Sequence, residues 1–166
     1  MAKSGVGKVR WGIISTADIG VTKVIPGLMK SRQLEVVAIA SRSLQTAKKA
    51  ARKLGIPVAY GSYEELLDDP AIEAVYNPLP NHLHVPLTLA AAAKGKHVLC
   101  EKPIALTAAE AETLRTAPKG VIVAEAFMVR HHPQWIRARE IVRAGTLGEV
   151  RAVQCLFIYY NADPKN

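Results

Sequence analysis

Cysteine, aromatic residues and long apolar runs are all scarce in this chain of 166 residues. The two cysteines, Cys100 and Cys155, lie far apart and form neither a CxxC pair nor a zinc-ligand spacing, which indicates a reducing compartment. No apolar run reaches the ~18 residues that cross a bilayer, and residues 1–10 lack the apolar stretch and cleavage site of a secretory signal. These absences predict a cytoplasmic protein without a membrane partner.

Acidic residues are nearly missing from the first third of the chain. Residues 1–60 contain 11 Lys and Arg against two acids, Asp18 and Glu35, whereas residues 61–166 contain 11 basic and 12 acidic residues. The net charge of +8 is therefore concentrated in one region. Because basic runs never exceed two residues and aromatic residues make up only 5% of the chain, the pattern argues against nucleic-acid binding and favours a local anion site.

Short apolar runs alternate with helical patterns along most of the sequence, which is 49% hydrophobic and long enough for about one domain. Short connections between such elements are typical of an α/β fold with a doubly wound parallel sheet and helices on both faces. The predicted strands are residues 9–14, 34–40, 58–60, 72–76, 96–100 and 120–124, and the predicted helices between them are residues 19–30, 44–54, 63–68, 81–94 and 107–117.

The C-terminal part of the chain breaks this alternation. A basic helix is predicted at 133–144, followed by a long strand at 150–160 with apolar residues on one side. Half-buried strands of this kind belong to antiparallel sheets. We therefore predict one domain over residues 1–124 and, over residues 125–166, the first helix and strand of a truncated α+β domain. The apolar side of the last strand consists of Val153, Cys155, Phe157 and Tyr159.

A turn of small residues, Ser15 to Gly20, follows the first predicted strand. In a Rossmann fold this turn brings backbone N–H groups and a helix N-terminus to a pyrophosphate, usually with the pattern G-x-G-x-x-G/A. Here Ser15 and Ala17 occupy the first two glycine positions and Gly20 the third. The placement favours a dinucleotide-binding Rossmann unit, and the alternative is a plain strand–turn–helix that is capped by Thr16 or Asp18.

A basic residue follows the second predicted strand, at the place where an acidic residue usually binds the ribose of NAD. Ser41 and Arg42 occupy this place, and no acidic residue occurs between Glu35 and Glu64. An arginine can hold a 2′-phosphate that a carboxylate would repel. The sequence therefore predicts NADP in preference to NAD, and the alternative is a solvated surface arginine.

Glu101-Lys102-Pro103 ends the fifth predicted strand, at the sheet edge where open α/β proteins bind their ligands. Pro103 favours an extended backbone for Lys102, so that the lysine side chain projects from the strand end. A lysine in this place can orient a substrate hydroxyl and exchange its proton. The alternative is an exposed lysine that pairs with Glu101.

Residues 10–20, 80–84 and 95–103 occur in a specific order and spacing, and with them the chain from Val9 onward resembles the glucose–fructose oxidoreductase/inositol dehydrogenase (Gfo/Idh/MocA) family. The Ser-Thr-Ala turn and the Pro-rich segment are most similar to the family's branch of NADP-dependent D-xylose dehydrogenases and dimeric dihydrodiol dehydrogenases. The segments that carry the resemblance are residues 10–20, 78–84 (Pro-Leu-Pro-Asn-His-Leu-His), 95–103 and 124–128.

The resemblance implies an NADP-dependent oxidoreductase that needs no metal and moves a hydride between a sugar or diol C–OH carbon and nicotinamide. Lys102 would be the catalytic lysine and would also contact substrate, His84 is a second catalytic candidate, and Arg130 is a candidate on the substrate side. The positions implied to bind the cofactor are Ser15, Thr16, Ala17, Asp18 and Ile19 at the pyrophosphate, Ser41 and Arg42 at the 2′-phosphate, Leu79, Asn81 and His84 beside the nicotinamide, Glu101 at its ribose or amide, and Lys102.

Members of this family are much longer than the present chain, and a second, mostly antiparallel sheet completes their substrate pocket and commonly their subunit interface. We therefore expect a truncated chain that has little activity by itself, and a full-length form that is a homo-oligomer. The residues that would choose among sugars and diols lie mostly in that second part, so the substrate is not identified. The alternative is a non-catalytic NADP(H)-binding module or sensor fragment.

Overall fold

The computed structural model describes residues 7–158 and residue 160. Six strands form one sheet in which every neighbouring pair is parallel. The strands are β1 (Val9–Ile14), β2 (Leu34–Ala40), β3 (Val58–Tyr60), β4 (Ala74–Asn77), β5 (His97–Cys100) and β6 (Val123–Glu125). Their order across the sheet is β3-β2-β1-β4-β5-β6.

Helices connect the strands, and several begin or end at the residues that favour those positions. The side-chain oxygens of Ser43, Ser62 and Thr107 accept the N–H three residues further on, and Gly55 adopts a φ of 70° at the end of the second helix. The α-helices are α1 (Ile25–Leu28), α2 (Leu44–Leu54), α3 (Tyr63–Asp68), α4 (His84–Ala93), α5 (Ala108–Thr113) and α6 (Pro133–Arg143). Of the helices described, none has the length and apolar character to cross a membrane.

The sheet is covered on both faces, as the predicted doubly wound fold requires. Ile13 and Ile14 are adjacent on β1 and fully buried, yet they belong to two different apolar clusters, because successive residues of a strand point to opposite faces. The cluster around Ile13 includes Ile25 of α1 and Ala51 of α2. The cluster around Ile14 includes Leu66 of α3 and residues of α4.

The strand order reverses between β1 and β4, and this reversal determines where a ligand can bind. From β1 the chain continues to β2 and β3 on one side of the sheet, whereas from β4 it continues to β5 and β6 on the other. The connections that leave β1 and β4 therefore diverge, and a crevice opens at the carboxyl ends of these two strands. The predicted α/β fold with a doubly wound parallel Rossmann sheet is confirmed.

Two predicted helices are interrupted where proline removes an N–H donor. A π-helical turn, Gly20–Val24, precedes α1, in which Pro26 cannot donate to the carbonyl four residues earlier. Similarly, the predicted helix at 81–94 begins as a 3₁₀ turn, Asn81–Leu83, and becomes α-helical only at α4, whose first turn contains Pro86.

The chain divides into two compact units, residues 1–127 and residues 128–166. The second unit contains α6, where the prediction put a helix. The strand predicted at 150–160 is wrong for residues 150–158 and 160, which form no strand; Tyr159 and residues 161–166 lie outside the described residues. The physical reason is that a strand needs a hydrogen-bonded neighbour, whereas Val153 and Leu156 are 85% and 82% exposed.

Lys96 is a buried charged residue at the amino end of β5, on the sheet edge opposite the crevice. Its Nζ donates to the carbonyl oxygens of Asp69 and Ile72, at 2.7 and 2.8 Å. Burial lowers the pKa of Lys96, and the charges of Asp69 and Asp68 oppose that shift. Lys96 therefore holds the loop that leads into β4 against β5.

We expect Lys96→Met to lower the free energy of unfolding by about 1–3 kcal/mol, because two carbonyl groups lose their donor. Lys94→Met is the matched control, since Lys94 makes only an exposed ion pair with Asp68, and such pairs contribute about 0–1 kcal/mol. Urea denaturation of both variants measures the difference. Equal destabilisation by the two substitutions would contradict this account of Lys96.

Candidate functional site

A groove of about 360 Å³ lies at the carboxyl edge of the sheet, in the crevice at the β1–β4 reversal. It brings together residues that follow three different strands: Ser15 after β1, Arg42 after β2 and Leu79 after β4. Five of the residues predicted to bind a cofactor line it together, namely Ser15, Thr16, Ala17, Arg42 and Leu79. The full lining is Ser15, Thr16, Ala17, Arg42, Tyr63, Leu79, Pro80, His82 and Leu83.

Ser15 occupies the position of the first glycine in the G-x-G-x-x-G/A pattern. Its φ is 110°, a conformation that a residue with a side chain rarely adopts. Two hydrogen bonds support it, from the Ser15 N–H to the Ala40 carbonyl at 3.0 Å and from the Ala17 N–H to Ser15 Oγ at 3.0 Å. The serine therefore makes the turn that glycine usually makes and ties it to the end of β2.

The start of the first helix presents backbone donors beside the groove. The N–H groups of Thr16 and Asp18 have no acceptor among the described residues. Gly20 is buried, and a Cβ there would lie 3.5 Å from Tyr76 and from Pro78, which is ordinary contact. The third position of the pattern is thus packed against the segment from β4 with room for glycine or alanine, the two residues that G-x-G-x-x-G/A allows. Asp18 and Ile19 are exposed at the start of this helix and do not line the groove.

Arg42 is exposed at the end of β2 and lines the groove opposite Tyr63. Burial raises the pKa of the Tyr63 phenol, and the positive charge of Arg42 opposes that rise. Among the described residues no carboxylate forms an ion pair with Arg42. Its neighbour Ser41 donates its N–H to the Tyr60 carbonyl at 3.2 Å. The guanidinium is therefore available to an anion in the groove.

Lys102 lies in a turn at the end of β5 whose backbone is fixed by neighbouring strands. The Glu101 N–H donates to the Asn77 carbonyl at 3.0 Å, and the Lys102 N–H donates to Glu101 Oε2 at 3.2 Å. The Tyr76 hydroxyl donates to Glu101 Oε1 at 2.7 Å. The Lys102 side chain is exposed, and no ion pair joins it to Glu101 among the described residues. The alternative of a lysine paired with its neighbour is therefore not what the structure shows.

His84 is 1% exposed and connects the Lys102 turn to the segment after β4. Its Nδ1 lies 2.7 Å from the Pro103 carbonyl oxygen, and its Nε2 lies 2.7 Å from the Leu79 carbonyl oxygen. Both ring nitrogens contact backbone carbonyls and His84 does not line the groove, so an acid–base role, which needs an available nitrogen, has no support in this geometry. The structure instead gives His84 a positioning role.

Asn77 and Glu125 were not among the predicted site residues, yet both shape the site. Asn77 is fully buried; its Oδ1 accepts the Leu79 N–H at 3.2 Å and its Nδ2 donates to the His84 carbonyl at 3.2 Å. Glu125, at the end of β6, accepts the Ile104 N–H at 3.0 Å. An Asn-Pro pair directly after a strand is a turn signal that could have identified Asn77. For Glu125 the signals were its position at a strand end and its place in the segment 124–128, which carries part of the family resemblance.

The remaining predicted residues lie apart from the groove lining. Asn81 is exposed in the 3₁₀ turn before α4, and Glu101 and Lys102 lie at the end of β5. Arg130 belongs to the second unit, where it lines a depression with Trp135 and Arg139. Among the described residues no group of three or more His, Cys, Asp or Glu side chains is placed to hold a metal ion.

The chain has the strand order of a Rossmann domain, with a turn of small residues from Ser15 to Gly20 after β1 and a groove at the carboxyl edge of the sheet. Residues 9–127 match the family described as "Oxidoreductase family, NAD-binding Rossmann fold" (GFO_IDH_MocA), and the chain belongs to this family. The predicted resemblance is thereby confirmed.

Several known proteins are similar to the chain over most of its length. It is 54% identical over 163 residues to an uncharacterised oxidoreductase, ORF334, of Rhizobium meliloti, covering 95% of this chain and 48% of that protein. It is 48% identical over 151 residues to a D-xylose 1-dehydrogenase (NADP(+)) of Haloferax volcanii, covering 90% and 46%. The solved structure of KijD10, a 3-ketoreductase from Actinomadura kijaniata in complex with NADP and TDP-benzene, matches with a TM-score of 0.80 at 37% identity, covering 87% and 45%. The chain thus spans about half the length of these relatives.

We expect His84→Leu to lower the free energy of unfolding by about 1–3 kcal/mol, because it removes the imidazole that contacts the buried Leu79 carbonyl and the partly buried Pro103 carbonyl. His82→Leu, at an exposed position two residues earlier, is the control and should change stability by no more than about 0.5 kcal/mol. Thermal or urea unfolding of the two variants tests this. A His84 variant as stable as the His82 variant would show that the bridge contributes nothing.

Proposed function

We propose that the chain is the cofactor-binding portion of an NADP-dependent oxidoreductase that transfers a hydride between a sugar or diol C–OH carbon and nicotinamide. The observation that supports it most is the groove itself. It joins the phosphate-type turn of Ser15 and Thr16, the free guanidinium of Arg42 and the backbone at Leu79 along one carboxyl edge. This is where a dinucleotide lies in open α/β sheets.

The residues of the turn fit a pyrophosphate. The backbone N–H groups of Thr16 and Asp18 have no acceptor among the described residues, and the helical residues begin at Asp18. Unpaired N–H groups at a helix start attract anions, because donors and the positive end of the helix dipole coincide. Ser15 leaves the approach to this backbone open, since its Oγ is bonded to Ala17. The phosphates would therefore contact main chain more than side chain.

Arg42 supports NADP as the cofactor. A 2′-phosphate at the end of β2 could bind the planar guanidinium of Arg42. The ribose 2′-hydroxyl of NAD would have no carboxylate there to accept its hydrogen bond. The relatives agree with this preference, since the Haloferax enzyme is named for NADP(+) and KijD10 was solved with NADP. In this proposal Ser41 assists Arg42 at the phosphate.

Lys102 supplies the proton chemistry in the proposal. The chemistry that a bound nicotinamide would supply here is that of a hydride acceptor for the carbon that carries the hydroxyl. The Lys102 side chain would orient that hydroxyl and, as the neutral amine, accept its proton as the C–OH group becomes a carbonyl, which leaves Lys102 as the ammonium. Glu101 and Asn81 flank the nicotinamide end, and Leu79 closes one side of it. Arg130 is a further candidate for contact with the substrate in this proposal.

We further propose that residues 125–166 begin the substrate and oligomerisation domain that longer members of the family possess. The protein would then work as a homo-oligomer in the cytoplasm on a small sugar or diol. The half-length coverage of the relatives is the observation behind this proposal. Binding of NADP(H) without turnover by the full-length gene product, across aldoses, diols and carbonyl compounds, would identify a binding module instead.

The choice between NADP and NAD depends on Arg42 in this proposal. We expect wild-type protein to bind NADP more tightly than NAD, and Arg42→Ala to weaken NADP binding roughly 10- to 150-fold, which corresponds to a charge-assisted bond of ~1.5–3 kcal/mol. NAD affinity should stay nearly constant. The control is Arg32→Ala, another exposed arginine of the same basic region. Calorimetric titration measures both affinities, and equal binding of the two cofactors or tighter binding of NAD would refute the assignment.

Hydride transfer depends on Lys102 in this proposal. In the full-length gene product, Lys102→Ala should lower kcat by at least about 100-fold, the contribution of a positioned acid–base group, and leave the Kd for NADP(H) nearly unchanged. Lys102→Arg separates the two roles, because arginine can orient a hydroxyl but cannot accept its proton at ordinary pH. We expect that variant to bind substrate and remain slow. A Lys102→Ala variant with normal kcat would exclude the proposed role.

A further inference from the structure

The Lys102 side chain has no hydrogen bond or ion pair with any of the described residues. Nothing on the side chain itself therefore fixes where its amino group lies. The position of Nζ depends instead on the backbone of the turn from Glu101 to Ile104. The groups that hold this turn consequently decide how accurately Lys102 meets a substrate.

Tyr76 holds the first end of the turn. Its side chain is completely buried on β4, and its hydroxyl donates to Glu101 Oε1 at 2.7 Å. Burial and the bond to the Glu101 carboxylate both raise the pKa of this phenol well above its usual value, so the hydroxyl is a donor at neutral pH. The ring also packs 3.5 Å from the position of a Cβ on Gly20. Tyr76 therefore joins the phosphate-type turn to the Lys102 turn.

Glu125 holds the other end. Its Oε1 accepts the Ile104 N–H at 3.0 Å, across the gap between β6 and the turn. The backbone keeps the two strand ends together, because the Ala126 N–H donates to the Cys100 carbonyl at 2.7 Å. The carboxylate is half-buried, so the bond is partly shielded from water. Tyr76 from β4 and Glu125 from β6 thus brace the turn from both sides of β5.

We propose that Tyr76 and Glu125 are positioning residues for Lys102, acting through Glu101 and Ile104 respectively. The inference rests on the proposed function, in which Lys102 handles the substrate hydroxyl. A misplacement of a catalytic group by about 1 Å can slow a reaction on the order of 100-fold. Loss of either brace should therefore lower kcat more than it lowers cofactor affinity.

Hydrogen exchange tests the braces without any need for turnover. On the chain as it stands, Tyr76→Phe should accelerate exchange of the Lys102 amide, which is bonded to the carboxylate that Tyr76 holds. Glu125→Ala should accelerate exchange of the Ile104 amide. We expect increases of roughly tenfold, the effect of one lost bond, with unchanged exchange in β1 and β2. Unchanged exchange at both amides would overturn the proposal.

Kinetics of the full-length gene product then test positioning against mere stability. We expect Tyr76→Phe and Glu125→Ala to lower kcat roughly 10- to 100-fold and to change the Kd for NADP(H) by less than about threefold. Glu125→Gln should restore most of kcat, since its amide oxygen still accepts the Ile104 N–H.

Two matched controls remove the same kinds of bond elsewhere. Tyr60→Phe removes a phenol-to-carboxylate bond to Asp69 of 2.9 Å, and Glu73→Ala removes a carboxylate that accepts the Arg10 N–H at 2.9 Å. Both should leave kcat unchanged. Equal losses of kcat in the controls, or wild-type kcat in both test variants, would reject the positioning role. If the wild-type protein binds NADP(H) but turns nothing over, the proposed function fails, and the exchange data alone decide whether the two residues brace the turn.

Discussion

The reversal of strand order between β1 and β4 is the constraint on which the rest of the structure depends. Because the chain leaves these two parallel strands in opposite directions, their carboxyl ends border an open crevice that no connection fills. Ser15, Arg42 and Leu79 come from distant parts of the sequence and meet only because of this topology. The buried clusters on the two faces keep the sheet, and hence the crevice, in place.

Within that frame, hydrogen bonds rather than glycines shape the site. Ser15 adopts a φ of 110° and is held there by Ala17 and Ala40. On the other side of the crevice, buried Asn77 and His84 fix the backbone after β4 and the turn after β5. The turn that carries Lys102 is thus held by side chains from its neighbours, whereas the Lys102 side chain makes no hydrogen bond or ion pair with the described residues.

The fold was predictable because its signals are local. Short apolar runs between helical patterns located the strands. Helices begin at Ser43 and Thr107 because their side-chain oxygens accept a backbone N–H, and one helix ends at Gly55 because glycine adopts a positive φ easily. Arg42 could be identified as a candidate because a cofactor-binding residue is expected at one fixed place after β2, and Arg42 lines the groove. The bonds from Tyr76 to Glu101 and from Glu125 to Ile104 join residues 25 and 21 positions apart, and no local pattern reveals them. The strand at 150–160 failed for a related reason, since an alternating pattern does not supply the partner that a strand needs.

A structure of the chain with NADP+ bound tests the central claim most directly. The account predicts the 2′-phosphate within hydrogen-bonding distance of the Arg42 guanidinium, the pyrophosphate on the Thr16 and Asp18 N–H groups, and the nicotinamide beside the Lys102 turn. A cofactor bound away from the β1–β4 crevice, or one whose 2′-phosphate points into solvent with Arg42 unengaged, would contradict it.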